Sequence, residues 1–243
     1  MGISFSKGFT ISAIATTPAI VSSGLVFNLQ TAPSSGTTWT DATGNGYNAT
    51  VSGTTSYVSN NGGGIKLVNT GPNAAGTGFI DVPYNISSTT TTVEIVASFN
   101  PNGFWGTIWG NENYNSSTGY FAFMSLATLI TYGRPGGTVA ETITASDSIR
   151  HWIFVLNGTN RSLYLNASQI GTTKTGTNTT YASNNFYFGS RHQNAGTAGP
   201  RDVLNNSNSA SQPVFYQMRL YNKALNTTEI TQNYNAIKGT YGI

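Results

Sequence analysis

Residues 215–230, FYQMRLYNKALNTTEI, limit the possible fold more than any other stretch, because a period-2 strand runs into a capped helix with almost no slack. Alternation puts Phe215, Gln217, Arg219 and Tyr221 on one face and Tyr216, Met218, Leu220 and Asn222 on the other, so Met218 and Leu220 can enter a core. Asn226 then offers an N-cap oxygen, and Glu229, three residues on, can reach back to the cap's N–H. Ile230, Tyr234 and Ile237 recur at helical spacing, with Gly239 expected to close the helix. A chain that ends this way finishes a sheet and lays a helix against it.

Upstream the pattern is all strand. Turn dipeptides such as Asn45-Gly46, Asn61-Gly62, Asn102-Gly103 and Asn157-Gly158 separate apolar runs. Strands are expected near 25–30, 47–51, 56–58, 65–68, 78–82, 92–99, 105–110, 119–125, 128–133, 138–144, 150–156, 161–167, 168–174, 184–190 and 213–222. Many short strands and one terminal helix predict an all-β fold, with two antiparallel sheets packed face to face. Residues 191–212 stand out as a long connection, of a length more often functional than idle.

Only 8% of the 243 residues are charged, against about 25% in an average soluble chain. The surface is therefore neutral and rich in Ser, Thr and Asn. The eleven Lys and Arg are scattered singly, with no run that could neutralise a row of phosphates, so nucleic acid is not expected as a partner. No segment approaches the roughly 20 apolar residues of a membrane-spanning helix, and no secretory leader is read at the N-terminus. Without cysteine there is no disulfide framework. Residues 1–20 alternate weakly and meet Thr16-Thr17-Pro18, which reads as an arm leaving a domain of residues 21–243. Ile3, Phe5, Phe9 and Ile11 are its candidate attachment residues.

Four blocks, in order, carry a family resemblance. They are GLVFNLQ at 24–30 with WTDATGNGYNAT at 39–50, TVEIVASF at 92–99, HWIFVLNG with RSLYLNAS across 151–168, and the strand and helix at the C-terminus. Together they resemble the laminin-G-like branch of the concanavalin A-like lectin and glucanase superfamily. The resemblance implies a jelly-roll sandwich. The ending NYNAIKGTYGI is similar to versions found in virion proteins of tailed bacteriophages, which implies a capsid decoration or head-fibre-like protein, present as a homo-oligomer or multicopy lattice on the particle. The alternative is a lectin-like module that binds host or environmental glycans.

The catalytic members of that superfamily set two carboxylates close together on one strand. Here no two of the eight carboxylates lie within four residues of each other, so no enzyme is expected. Some members bind calcium, and Asp41 is the candidate ligand. Its nearest acidic neighbour along the chain, Asp81, is forty positions away, whereas calcium takes about six to eight oxygens, so Asp41 reads first as a turn residue beside Trp39 and Gly44-Asn45-Gly46. Trp39 is expected to bury its ring with the N–H bonded. No cofactor is expected.

Candidate carbohydrate contacts are Trp105, Trp109 and Tyr114 within FWGTIWGNENYNSSTGY, and Arg191 and His192 at the mouth of the long connection near Arg201 and Asp202. Trp105 and Trp109 share a strand face by simple alternation; exposed they would form a platform for a sugar ring, and buried they would be sandwich core. His151, at the start of an apolar strand, reads as a packed residue rather than a base.

Overall fold

A computed structural model describes residues 18–68, 77–98, 104–111, 118–125, 129–133, 137–144, 146–177, 185–194, 197–201, 205–206 and 212–243. The first strands are β1 (Leu25–Leu29), β2 (Thr38–Trp39), β3 (Ala49–Ser52), β4 (Thr55–Val58), β5 (Gly64–Leu67), β6 (Phe79–Val82) and β7 (Thr90–Ser98). Next come β8 (Phe104–Gly110), β9 (Phe121–Ser125), β10 (Leu129–Gly133), β11 (Val139–Thr142), β12 (Arg150–Asn157), β13 (Asn160–Leu165) and β14 (Ser168–Thr175). The chain ends with β15 (Phe186–Phe188), β16 (Arg191–Asn194), β17 (Thr197–Arg201), β18 (Asn205–Asn206), β19 (Val214–Tyr221) and the helix α1 (Thr227–Tyr241).

These strands form the expected two-sheet antiparallel sandwich. The first sheet runs β14-β13-β12-β7-β19-β5-β4, with β1 also on β19; the second runs β11-β10-β9-β8-β15-β6-β3-β2, with β18 on β8. Between them lies an apolar core that includes Phe27, Trp39, Ile95, Trp109, Phe154, Phe186 and Met218. Helix α1 covers the outside of the first sheet. Ile230 packs with Val21, Ile153 and Tyr221, while Ile237 and Tyr241 pack with Val96, Val214 and Tyr216. Both faces of β19 are therefore covered, and all eight of its residues are buried.

The helix start follows its sequence signal: Asn226 Oδ1 accepts from Glu229 N, and Glu229 Oε2 accepts from Asn226 N, each at 3.0 Å. The end lies elsewhere. Gly239 sits inside the helix, and Gly242 is the cap, with φ 67° in the left-handed region that an L side chain resists. Asn233, rather than Tyr234, takes the buried position between Ile230 and Ile237.

Two bulges change the faces that alternation assigns. A register shift between Phe215 and Gln217 places Phe215 in the central core with Met218 and Leu220, and not beside Arg219. Another lies between Thr107 and Trp109, so the count that put Trp105 and Trp109 on one face does not carry across it. Residues 191–201, expected as part of a long connection, contain the β16–β17 hairpin.

Candidate ligand groove

Beneath α1, alternation on β7, β12 and β19 sends polar side chains outward while their neighbours fill the core. Glu94 of β7 is the centre of the resulting network. Its Oε1 accepts from Arg219 Nη1 at 2.5 Å and contacts His151 Nε2 at 2.8 Å, and its Oε2 accepts from Asn233 Nδ2 at 2.7 Å. Asn233 Nδ2 also donates to the Tyr221 hydroxyl at 2.9 Å, and its Oδ1 accepts from Val21 N at 2.8 Å. Gln232 Nε2 donates to Ala19 O at 2.7 Å. The helix thus clamps residues 19–21 as well as the sheet. The Tyr234 ring stacks on His151, with centroids 6.1 Å apart.

Burial alone would raise the Glu94 carboxyl, but the Arg219 guanidinium, His151 and the Asn233 amide outweigh it and hold the pKa at about 2. The same burial pushes the Tyr221 hydroxyl upward. Glu94 is consequently a fixed anion that organises its surroundings, not an acid or base that exchanges protons near neutrality.

From Arg219 the network continues towards the surface. Arg219 Nε donates to Asn28 Oδ1 at 3.1 Å, and Asn28 Nδ2 donates to Gln30 Oε1 at 3.0 Å. Gln30 borders two adjoining hollows. One is a cleft of about 280 Å³ lined by Gln217 and Arg219 of β19, by Pro18 and Ile20, and by Ala236, Ile237, Thr240 and Tyr241 of the helix. The second, a groove of about 490 Å³, follows Gln30, Thr31, Pro33, Ser34, Ser35, Thr38 and Thr40, where the chain crosses from β1 in one sheet to β2 in the other. Gln30 and Thr31 line both. The groove's wall carries hydroxyls, the Gln30 amide and the apolar Pro33 and Ala42, and no charge; Ala32, buried in the central core, pins the crossing loop.

Just beyond the groove, Asp41 holds its turn together. Its Oδ1 accepts from the N–H of Asn28 and of Thr43, each at 3.0 Å, and its Oδ2 accepts from the Thr43 hydroxyl at 2.7 Å. Burial raises this carboxyl, and these N–H and O–H donors together bring it below its ordinary value. Donors that point their hydrogens at the carboxylate suit a turn anchor and oppose a calcium ion. Among the described residues, no three acidic or histidine side chains gather as metal ligands. Gly44 and Gly46, at φ 81° and 85°, supply the left-handed positions of this turn.

Of the other expected residues, those that are described are buried. Trp109 is fully buried, stacked on Phe186 with centroids 5.5 Å apart, so its ring is core and offers no platform. The bulge beside it and the covering first sheet account for this. Trp39 is buried as expected, but its Nε1 has no acceptor among the described residues. His151 is packed, and bonded to Glu94. The side chains of Trp105, Arg191 and His192 fall outside the described residues, although the backbone register sets Arg191 opposite Arg201. Tyr114, and Ile3, Phe5, Phe9 and Ile11, also lie outside the described residues. The groove itself was missed in the sequence; its faint signal is the hydroxyl-rich run SSGTTWT after Pro33.

No protein-family model matches the sequence, and no curated protein aligns with it. Solved structures do match in fold. The binding domain of Paraclostridial Mosquitocidal Protein 1 superposes with a TM-score of 0.63 at 17% identity, covering 88% of this chain and 52% of that one. A botulinum neurotoxin type C structure, whose cell entry depends on interaction with two ganglioside molecules, gives 0.64 at 11%, with 88% and 51% covered. The botulinum neurotoxin DC binding domain in complex with rat synaptotagmin II gives 0.64 at 13%, with 88% and 52% covered. The chain spans about half the length of these structures. At such identities the likeness is one of fold.

Proposed function

We propose that this domain is a non-enzymatic, carbohydrate-binding module whose ligand lies in the groove along residues 30–42. The observation that carries the reading is the groove itself: a neutral concavity of about 490 Å³ lined by Thr, Ser and Gln side chains together with Ala32, Pro33 and Ala42, with volume inside the roughly 300–1,000 Å³ of small-ligand sites. Hydroxyls and amides both donate and accept, which suits a ligand made of hydroxyl groups. Receptor-binding domains of toxins share the sandwich, which supports a binding role, although half of each such chain has no counterpart here. Against catalysis stand the duties of four of the six described carboxylates, Asp81 and Asp147 being the other two. Glu94 is enclosed in its network, Glu141 pairs with Lys174, Asp41 anchors a turn, and Glu229 caps the helix.

A single shallow site of millimolar affinity is worth only about 4 kcal/mol, so the module would act in many copies. Display on a virion is the second reading. It is favoured by the clamp on residues 19–21, which gives any preceding attachment segment a fixed point of departure. Glycan-array binding by a multivalent display of the protein tests the first reading. Wild type should retain neutral glycans that the groove-filling variant Thr38→Trp does not; equal binding by both would remove the groove from the account. Deleting residues 1–17 tests the second, which fails if the truncated protein still assembles on particles.

A further inference from the structure

We propose that the cleft over Gln217 and Arg219 is a subsite for one ring of a neutral saccharide, an inference that rests on the carbohydrate-binding reading of the adjoining groove. Gln217 supplies the first reason. It is 4% exposed, its Oε1 has no partner among the described residues, and its Nε2 reaches Asn28 Oδ1 only at 3.5 Å, beyond ordinary hydrogen-bond range. A buried amide so poorly bonded at both ends is free to turn and meet a ligand that can donate and accept, as a vicinal pair of sugar hydroxyls does.

Charge selects the class of ligand. Arg219 borders the cleft, but its guanidinium is bonded to Glu94, so the floor carries no net positive charge to attract a carboxylate or phosphate. Hydroxyl oxygens remain suitable acceptors. The walls formed by Ile20, Ile237 and Tyr241 offer apolar contact to the C–H face of a ring. At about 280 Å³ the cleft lies just below the usual size of a small-ligand site, which limits it to a single ring. Gln30 and Thr31 then lead the rest of a chain into the groove.

The test uses the full chain, neutral methyl hexosides and their oligosaccharides as probes, a sialoside as the anionic control, and the variant Thr240→Trp. Thr240 is exposed on the last turn of α1 and borders the cleft, so an indole there obstructs it without touching the core. Neutral hexosides should shift the Gln217 side-chain amide signal in wild type, and oligosaccharide affinity should fall about tenfold or more in Thr240→Trp, equivalent to about 1.4 kcal/mol. Unchanged oligosaccharide affinity in the variant overturns the subsite and leaves the groove reading intact. Tighter binding of the sialoside overturns the neutral ligand class. No binding of any probe by wild type overturns the groove reading and the subsite together.

Discussion

The two faces of strands β7 and β19 are both buried, yet they are held by different chemistry. On the inner face Val93, Ile95, Met218 and Leu220 meet the apolar core, where any well-shaped side chain can fill space. On the outer face Glu94, Arg219, His151 and Asn233 must satisfy one another in a fixed geometry beneath α1. The inner face supplies stability and the outer face supplies position. Only the outer one continues to the surface, through Asn28 to Gln30 and the two hollows.

The sharpest way to break this contrast is to remove one member of the polar network and one of the apolar core that the inner face meets. Glu94→Ala leaves Arg219 buried without its carboxylate and should cost about 3–5 kcal/mol in urea denaturation. Trp109→Ala, on the core side, should cost a similar ~3–5 kcal/mol through cavity formation. Their partners separate them. Adding Arg219→Met to Glu94→Ala should recover much of the loss, because the unpaired charge is gone, whereas adding it to Trp109→Ala should deepen the loss.

Acid provides the next test. The Glu94 carboxyl lies at about 2 in the folded protein, below its ordinary 4.5, so the stability it contributes is present above pH 4.5 and disappears as pH falls towards 2. That window should remove roughly 3 kcal/mol, since each pKa unit is worth about 1.36 kcal/mol. Thermal melts at stepped pH should keep this slope in Trp109→Ala and flatten it in Glu94→Ala. An unaltered slope in Glu94→Ala would place the acid sensitivity elsewhere.

Smaller effects belong to the helix that separates the outer face from solvent. Asn226→Ala removes the cap bond to Glu229 N and should cost about 1 kcal/mol, read from the denaturation midpoint. Lys223→Met breaks a partly exposed pair with Glu229 and should change stability by less than about 1 kcal/mol. A larger loss from Lys223 than from Asn226 would contradict the ranking.

Local signals made most of the architecture legible. Turn dipeptides separated the strands, and Asn226 with Glu229 marked the helix start within a few residues of chain. What escaped depends on distant partners or on irregularity. The bulge at Tyr216 reversed the face of Phe215, and nothing in FYQM announces it. The polar sequence RHQNAGTAGPR lacks the apolar alternation that marks a hairpin, and Pro200 argues against a strand, so β16 and β17 went unseen. Glu94 could be recognised as isolated in sequence, but its partners His151, Arg219 and Asn233 lie 57, 125 and 139 positions away. The groove arises where the chain changes sheets, a feature of topology that no motif records.

Chemical-shift mapping of the isotopically labelled protein with a neutral oligosaccharide tests the central claim most directly. Binding at the groove should move the amide signals of residues 30–42 and leave those of the core strands in place. Saturable binding with its largest shifts on another surface, or no shift at any concentration up to solubility, would contradict it.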